Sequence, residues 1–212
     1  MSRIPNCDTS EVSFLGFKLG NPGTAVRGLI ACHRTPIVAE LGINHNGDEE
    51  TAHQMIDVAA SCGADVVKFQ KRHLTATYSP AHVDNPGRAP GGLANYLPVL
   101  KKCELAPEAY ARLKEHAERK NLGFLVTPFD EPSVKFLEHL GVKAYKIASG
   151  DATNPILLAR VAATGKPMVV STGMTKETDV FRIVDFLNKM APGRFALMHS
   201  VSGYPVAFAD CQ

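Results

Sequence analysis

Two lysines lie inside apolar stretches of the sequence, where a charged side chain is costly to bury. Lys68 lies in Val-Val-Lys-Phe and Lys146 lies in Tyr-Lys-Ile-Ala. Because burying an unneutralised ammonium group is unfavourable, such lysines indicate an anion that neutralises them. Thr127, Ser149 and Ser171 stand near the ends of such stretches, and each hydroxyl can add a hydrogen-bond donor. The pattern predicts a clamp for phosphate or carboxylate.

A carboxylate, Glu40, follows another apolar stretch and has the opposite charge. Beside an anion pocket, a carboxylate is better suited to proton transfer or to binding a sugar hydroxyl. Alternatives remain open at this point. The lysines could extend to solvent, Glu40 could simply pair with one of them, and Ser171-Thr172-Gly173 could be a turn that leads into a helix. His45 and His199 could be core histidines with backbone partners, and no His-x-His spacing supports a metal site.

These residues lie at the ends of six short apolar runs that alternate with amphipathic helical segments. The alternation predicts a parallel sheet with right-handed crossovers. No Gly-x-Gly-x-x-Gly follows the first run, so a dinucleotide-binding fold is disfavoured. Because polar groups fall at the same end of every run, the sequence predicts an α/β fold of the TIM (β/α)8 barrel type. The predicted strands are 36–42, 64–70, 122–129, 143–149, 166–172 and 195–200.

Length and composition set further bounds on the protein. At 212 residues the chain is shorter than the roughly 250 of a complete barrel, so we expect an incomplete barrel of about six βα units. A net charge of +2 without a basic run excludes nucleic acid as the natural partner. Five scattered cysteines argue against a disulfide framework or a cysteine zinc site. No apolar run is long enough to span a membrane, so we expect a cytoplasmic protein without a membrane partner.

Two segments lie outside the barrel pattern. Residues 1–35 form a predicted N-terminal hairpin or cap, with its turn at Asn21-Pro22-Gly23, and residues 36–212 form the partial barrel catalytic domain. Residues 71–105 are rich in proline and glycine and read as a long loop, either functional or a simple insertion.

Six stretches together resemble the sialic acid synthase family, also called N-acetylneuraminate synthases. They run in the order IVAELGINHNGD, ADVVKFQ, FLVTPFD, AYKIASGD, GKPMVVSTGM and HSVSGYP, and the resemblance covers residues 36–210. It implies a condensation of phosphoenolpyruvate with N-acetylmannosamine, or its 6-phosphate, that yields N-acetylneuraminate and phosphate. The motifs are shared with pseudaminic and legionaminic acid synthases. A barrel that condenses phosphoenolpyruvate with another aldose, and an inactive anion-binding fragment, remain alternatives.

The resemblance also implies roles for individual residues. Glu40 and Asp151 would be catalytic, although Asp151 stands where the family usually has a glutamate. Gln70 and Tyr204, with Glu40, would face the amino sugar. Ser202 stands where an asparagine is common in the phosphoenolpyruvate pocket. The implied phosphoenolpyruvate-binding residues are Lys68, Thr127, Lys146, Ser149, Ser171 and Ser202.

The resemblance further implies a divalent cofactor, Mn²⁺ or Mg²⁺, and a homodimer of the full-length protein. The family's metal-binding histidines follow the segment that matches HSVSGYP, so we expect the ligands beyond residue 212. An antifreeze-like domain follows the barrel in the family, and we expect it to be absent from this chain, which we interpret as truncated.

Overall fold

The structure, a computed structural model, describes residues 12–15, 17–19, 36–203 and 205–211. The chain divides into two compact units. One comprises residues 35–143, and the other comprises residues 1–34 together with residues 144–212.

In the unit of residues 35–143, three parallel strands pair in sequence order: β3 (Val38–Gly42), β4 (Val66–Lys71) and β5 (Gly123–Pro128). Helix α1 (Glu49–Ser61) connects β3 to β4. Its N-terminus is capped by Asp48, whose carboxylate accepts hydrogen bonds from the backbone N–H groups of Glu50 and Thr51. The central strand is buried on both faces, as its run of apolar residues predicts for a parallel sheet.

Residues 71–105 differ from the long loop that the sequence predicts. They form helices α2 (Leu74–Thr77), α3 (Pro80–Asp84) and α4 (Leu93–Lys102), with a 3₁₀ turn at Pro86–Arg88. The prolines at 80 and 86 start short helical elements, because the fixed φ of proline suits the first helical position. Leu97 and Leu100 of α4 are buried, so the segment is anchored in the core of its unit.

Two longer helices complete this unit. Helix α5 (Pro107–Arg119) precedes β5, and helix α6 (Glu131–Leu140) follows it. Asp130 caps α6 by accepting a hydrogen bond from the backbone N–H of Ser133 at 2.7 Å, and Gly141 ends the helix with a left-handed φ of 72°. The start and the end of α6 therefore coincide with an aspartate and a glycine, residue types that are typical of these positions.

The second unit contains three more parallel strands, β6 (Tyr145–Ile147), β7 (Met168–Ser171) and β8 (Phe195–Met198), again paired in sequence order. Helix α7 (Pro155–Ala162) connects β6 to β7, and helix α8 (Glu177–Met190) connects β7 to β8. Short 3₁₀ turns lie at Ser149–Asp151 and Phe208–Asp210. The six strands thus alternate with helices, as predicted.

An N-terminal hairpin is present, and its two strands lie before the predicted turn. Strands β1 (Val12–Phe14) and β2 (Phe17–Leu19) pair antiparallel, with Phe14 opposite Phe17. The chain therefore reverses directly after Phe14, where Leu15 has a φ of 50°. The prediction placed the turn at 21–23, which lies outside the described residues. None of the described helices is long and apolar enough to cross a membrane.

Candidate active site

A first cluster lies at the carboxyl ends of β3, β4 and β5, and we call it the Lys68 cluster: Glu40, Lys68, Gln70 and Thr127. The strand register places Glu40 beside Lys68 and Gln70 beside Thr127. Lys68 and Gln70 are two residues apart, so their side chains leave the same face of β4. Four predicted site residues of this unit therefore meet at one edge of its sheet.

The ammonium group of Lys68 is held from two sides. It forms an ion pair with the carboxylate of Glu40, and it donates a hydrogen bond to the hydroxyl of Thr127 at 3.3 Å. Lys68 is 9% exposed and Thr127 is 1% exposed. Lys68 therefore does not extend to solvent, and the alternative in which Glu40 pairs with a lysine is the one observed. Glu40 itself stays half-exposed, so its carboxylate remains accessible to a substrate.

The amide of Gln70 has a defined orientation. Its Oε1 accepts a hydrogen bond of 2.6 Å from Nη2 of Arg72. A guanidinium group has no acceptor, so the atom facing it must be the amide oxygen, and the NH₂ group must point away. Nε2 of Gln70 and Oε1 of Glu40 both lie close to Gly42. A Cβ placed on Gly42 would be 3.4 Å from Nε2 of Gln70 and 3.2 Å from Oε1 of Glu40. Gln70 thus offers a hydrogen-bond donor beside the carboxylate of Glu40.

Two residues that the sequence analysis did not single out support this cluster. Tyr110, on α5, donates a hydrogen bond of 2.7 Å to the backbone carbonyl of Gln70 and so fixes the end of β4. Burial raises the pKa of Tyr110 well above its ordinary value, which keeps the hydroxyl protonated as a donor. Arg72 follows β4 directly. Its position continues the alternation of Lys68 and Gln70, which is the signal that could have revealed it.

His45 is a core histidine and lies in the loop after β3. It is buried, and its Nδ1 accepts a hydrogen bond of 3.1 Å from the backbone N–H of Gly47. Burial lowers the pKa of His45, while a backbone hydrogen bond to Gly42 and the charge of Asp48 act in the opposite direction. The neutral imidazole is therefore favoured, and the structural alternative for His45 is the one observed.

A second cluster lies within the other unit, at the carboxyl ends of β6 and β7, and we call it the Lys146 cluster: Lys146, Ser149, Ser171, Gly173 and Ser202. Nζ of Lys146 donates hydrogen bonds to the hydroxyl of Ser171 at 2.6 Å and to the carbonyl of Ile147 at 2.7 Å. Lys146 is 7% exposed and Ser171 is 8% exposed. This lysine also stays within the protein rather than extending to solvent.

Gly173 brings three loops of this unit together. A Cβ on Gly173 would lie 2.8 Å from the hydroxyl of Ser149, which follows β6, and 3.1 Å from the hydroxyl of Ser202, which follows β8. Ser202 also accepts a hydrogen bond of 2.8 Å from the backbone N–H of Met174. Gly173 therefore keeps open the space between two predicted phosphoenolpyruvate-binding hydroxyls. In the sequence Gly173 was notable only as part of the possible turn Ser171-Thr172-Gly173.

Three histidine, aspartate and tyrosine residues from the sequence predictions remain: Asp151, His199 and Tyr204. Asp151 is half-buried and accepts a hydrogen bond of 3.3 Å from the side-chain amide of Asn154, the residue that caps α7. His199 is exposed, so it is not a core histidine. Tyr204 lies outside the described residues.

The described part of the chain does not fit a divalent metal by itself. Within it, no three histidine, cysteine, aspartate or glutamate side chains lie close enough together to hold a metal ion. The predicted Mn²⁺ or Mg²⁺ therefore has no site to which the described residues can be assigned.

The fold and the two lysine-centred clusters define the class of protein: an α/β barrel of the TIM type whose strand ends carry buried cations and hydroxyls. Residues 55–212 match the NeuB family. This chain belongs to that family, whose members include sialic acid synthases, and the predicted resemblance is confirmed.

Individual relatives agree with this assignment. The chain is 38% identical to the N-acetylneuraminate-9-phosphate synthase of Drosophila melanogaster over 182 residues, covering 82% of this chain and 47% of that protein. It is 36% identical to the N,N'-diacetyllegionaminic acid synthase of Campylobacter jejuni over 181 residues, covering 84% and 54%. The chain thus spans about half the length of these curated relatives.

A solved structure supports the fold. The crystal structure of N-acetylneuraminic acid synthetase from Leptospira borgpetersenii, in complex with citrate, superposes with a TM-score of 0.75 at 31% identity. The match covers 95% of this chain and 63% of that one. The predicted α/β barrel class is therefore confirmed.

Proposed function

We propose that this chain carries the phosphoenolpyruvate-binding part of a synthase that condenses phosphoenolpyruvate with N-acetylmannosamine or its 6-phosphate, and that the products are N-acetylneuraminate, or its 9-phosphate, and phosphate. One observation carries the proposal. Lys146 is buried and donates to Ser171, while the hydroxyls of Ser149 and Ser202 converge on Gly173. A buried ammonium group bonded to one hydroxyl, with two further hydroxyls beside Gly173 in the same unit, provides the positive charge and the donors that a small phosphorylated acid requires.

In the proposed reaction, C3 of phosphoenolpyruvate attacks the aldehyde carbon of the open-chain sugar, and a carbon–carbon bond forms. Water then adds to C2, and the tetrahedral intermediate expels phosphate to leave a 2-keto acid. Lysines and hydroxyls stabilise the anionic groups of phosphoenolpyruvate and hold C3 in position. The resemblance assigns Lys68 and Thr127 to the same substrate as Lys146.

Proton transfer falls to the carboxylates in this proposal. Glu40 is half-exposed and lies beside the donor group of Gln70, so it can accept a proton from a sugar hydroxyl or from the attacking water. Asp151 is the second candidate, and its contact with Asn154 holds it at the start of α7. Replacing Glu40 by glutamine would show whether Glu40 or Asp151 transfers the proton, because the substitution removes the carboxylate of Glu40 while the side chain keeps its size.

The test is release of inorganic phosphate from phosphoenolpyruvate, with Mn²⁺ or Mg²⁺ present and with N-acetylmannosamine or its 6-phosphate as co-substrate. We expect release to depend on the sugar and to be lost in Lys146→Met. The matched control is Lys189→Met, which removes an exposed lysine from α8. Release without sugar, or full release by Lys146→Met, would contradict the proposal. Binding of phosphoenolpyruvate, measured by calorimetry, tests the clamp separately from turnover.

The sugar is a separate question. The sequence identity of this chain to the N-acetylneuraminate-9-phosphate synthase is similar to its identity to the N,N'-diacetyllegionaminic acid synthase. Sequence identity therefore does not discriminate between the substrates of these two relatives. A parallel assay with 2,4-diacetamido sugars would test the legionaminic and pseudaminic alternatives. Whether the whole protein is a homodimer, as the resemblance implies, is tested by sedimentation.

A further inference from the structure

Arg72 is a buried cation that the proposed reaction does not use. It directly follows β4 and is 5% exposed. Its Nη2 donates to Gln70, and its guanidinium carbon lies 4.1 Å from the centre of the Phe129 ring. Its other nitrogens, Nε and Nη1, are buried and have no hydrogen-bond partner. Three N–H groups of one guanidinium are therefore unsatisfied in a place that water does not reach.

The neighbouring cations do not share this condition. Lys68 is neutralised by Glu40, and Lys71, next to Arg72 in the sequence, is neutralised by Glu104. Among the described residues no carboxylate forms an ion pair with Arg72, and the acids that pair with Lys68 and Lys71 are Glu40 and Glu104. A buried charge without a counterion is unfavourable, so this arrangement is suited to an anion that arrives from outside the chain.

The acidic residue of the next loop is also occupied. Asp130 accepts hydrogen bonds from the backbone N–H groups of His73 and Ser133 and from the hydroxyl of Thr77. Its oxygens thus hold the loop after β4 against the start of α6. Asp130 is therefore engaged in holding this loop rather than in neutralising Arg72.

The position of Arg72 indicates which ligands it can reach. Lys68 and Gln70 alternate along β4, and Arg72 follows the strand two residues after Gln70 and contacts its side chain, so the three lie on the same side. At the rise of a β-strand, Arg72 lies about 13 Å beyond Lys68, at the outer end of the Lys68 cluster. A substrate group bound there would also meet the amide of Gln70, which is itself held by Arg72.

We propose that Arg72 binds an oxyanion of a substrate, a phosphate or a carboxylate, at the outer end of the Lys68 cluster. Arginine suits such a group because its planar donors match the oxygens of phosphate and carboxylate. Phe129 and Gln70 border the guanidinium and are only half-buried, so either side chain can shift to admit the anion. That the anion belongs to a substrate depends on the proposed function, whereas the anion site itself does not.

The experiment measures binding of inorganic phosphate by calorimetry in the full chain. It is done in a Lys146→Met background, so that the Lys146 cluster does not contribute. We expect Arg72→Met in this background to weaken phosphate binding by about tenfold or more, because a hydrogen-bonded charge is lost. The control Arg182→Met removes an exposed arginine of α8 and should leave binding unchanged. Equal affinity with and without Arg72 would overturn the proposal.

Melting temperature separates an anion site from a structural role. Because the guanidinium lacks a counterion, Arg72→Met should leave the melting temperature of the ligand-free chain unchanged or raise it. It should also abolish the phosphate-induced rise. A lowered melting temperature with the phosphate-induced rise retained would overturn the proposal. If Arg72→Met does not fold, the phosphate affinity of Arg72→Lys is measured instead. The proposal requires this affinity to fall below that of the chain with Arg72, and an unchanged affinity refutes the site.

The source of the anion is identified with whole substrates. Affinities for phosphoenolpyruvate, N-acetylmannosamine and N-acetylmannosamine 6-phosphate are compared with and without Arg72. A loss confined to the 6-phosphate assigns Arg72 to a phosphorylated sugar, and a loss confined to phosphoenolpyruvate assigns it to that substrate. If the Lys146→Met change leaves phosphoenolpyruvate binding intact while Arg72→Met still weakens phosphate binding, the proposed function fails and the Arg72 site stands.

Discussion

Substituting alanine for Gly173 tests the Lys146 cluster without removing any of its polar groups. The new Cβ would lie 2.8 Å from the hydroxyl of Ser149 and 3.1 Å from that of Ser202. The first distance is about 0.6 Å short of ordinary van der Waals contact, so both hydroxyls must rotate away. Gly173 has no positive φ, so alanine adds no backbone strain there.

The expected cost is small for stability and large for binding. Both displaced atoms are ends of flexible side chains, and rotating them costs about 0.5–1.5 kcal/mol in unfolding free energy. Each displaced hydroxyl also loses a hydrogen bond to a charged ligand, which weakens binding of phosphoenolpyruvate by about tenfold to about a hundredfold. Gly173→Ala should therefore melt only slightly below the parent chain and bind phosphoenolpyruvate far more weakly.

Calorimetric titration with phosphoenolpyruvate and thermal unfolding measure the two effects. Gly150→Ala is the matched control, because it adds the same methyl group next to Ser149, where a Cβ meets nothing within 4 Å. The reasoning is refuted if Gly173→Ala and Gly150→Ala bind phosphoenolpyruvate with the same affinity. It is also refuted if Gly173→Ala unfolds the chain, because the space would then be structural.

Three further predictions concern the unit of residues 35–143. Gly47→Ala should lower the unfolding free energy by more than about 3 kcal/mol, because the new Cβ would overlap the backbone carbonyl at the end of α4. Gly63→Ala is the control, since Gly63 also has a positive φ but lies in open space, and it should cost only about 1–2 kcal/mol. Urea unfolding of the two variants measures both costs. Burial lowers the pKa of His45, so the unfolded chain binds more protons, and stability that is complete above the ordinary value of 6.5 is lost as the pH falls below it. The difference in unfolding free energy between about pH 7.5 and about pH 5.5, measured with urea, should be smaller for His45→Asn than for the parent chain. An equal difference would contradict the assignment of this pH dependence to His45. Tyr110→Phe removes the donor to the carbonyl of Gln70 and should cost about 1 kcal/mol or somewhat more; no loss in thermal unfolding would show that water replaces the hydroxyl.

The buried lysines were predictable from the sequence because each interrupts an apolar run that has to form a strand. Once Lys68 and Lys146 lie in parallel strands, polar residues of the adjacent strands come next to them, as Glu40 of β3 lies beside Lys68 in the register. The ion pair between Glu40 and Lys68 was only one of the open alternatives, since spacing alone does not reveal which charges meet.

Other features depend on loops whose paths the sequence does not reveal. The importance of Gly173 comes from Ser149 and Ser202, which reach it from segments far apart in the chain. Arg72 was missed because the predicted strand ended at residue 70, although the alternation continues. The hairpin of β1 and β2 was not predicted, because Asn21-Pro22-Gly23 has stronger turn composition than the residues around Leu15.

The ion pair between Lys68 and Glu40 has a consequence for selectivity among cellular anions. In the free protein the ammonium group already has a tethered counterion, so an incoming anion must compete with a carboxylate rather than with water. A monovalent ion such as chloride gains too little from one lysine and one hydroxyl to displace it. A polyvalent ligand that also engages neighbouring groups can do so. In the proposed function, the pair would therefore favour phosphoenolpyruvate, which carries several charges, over the abundant small anions.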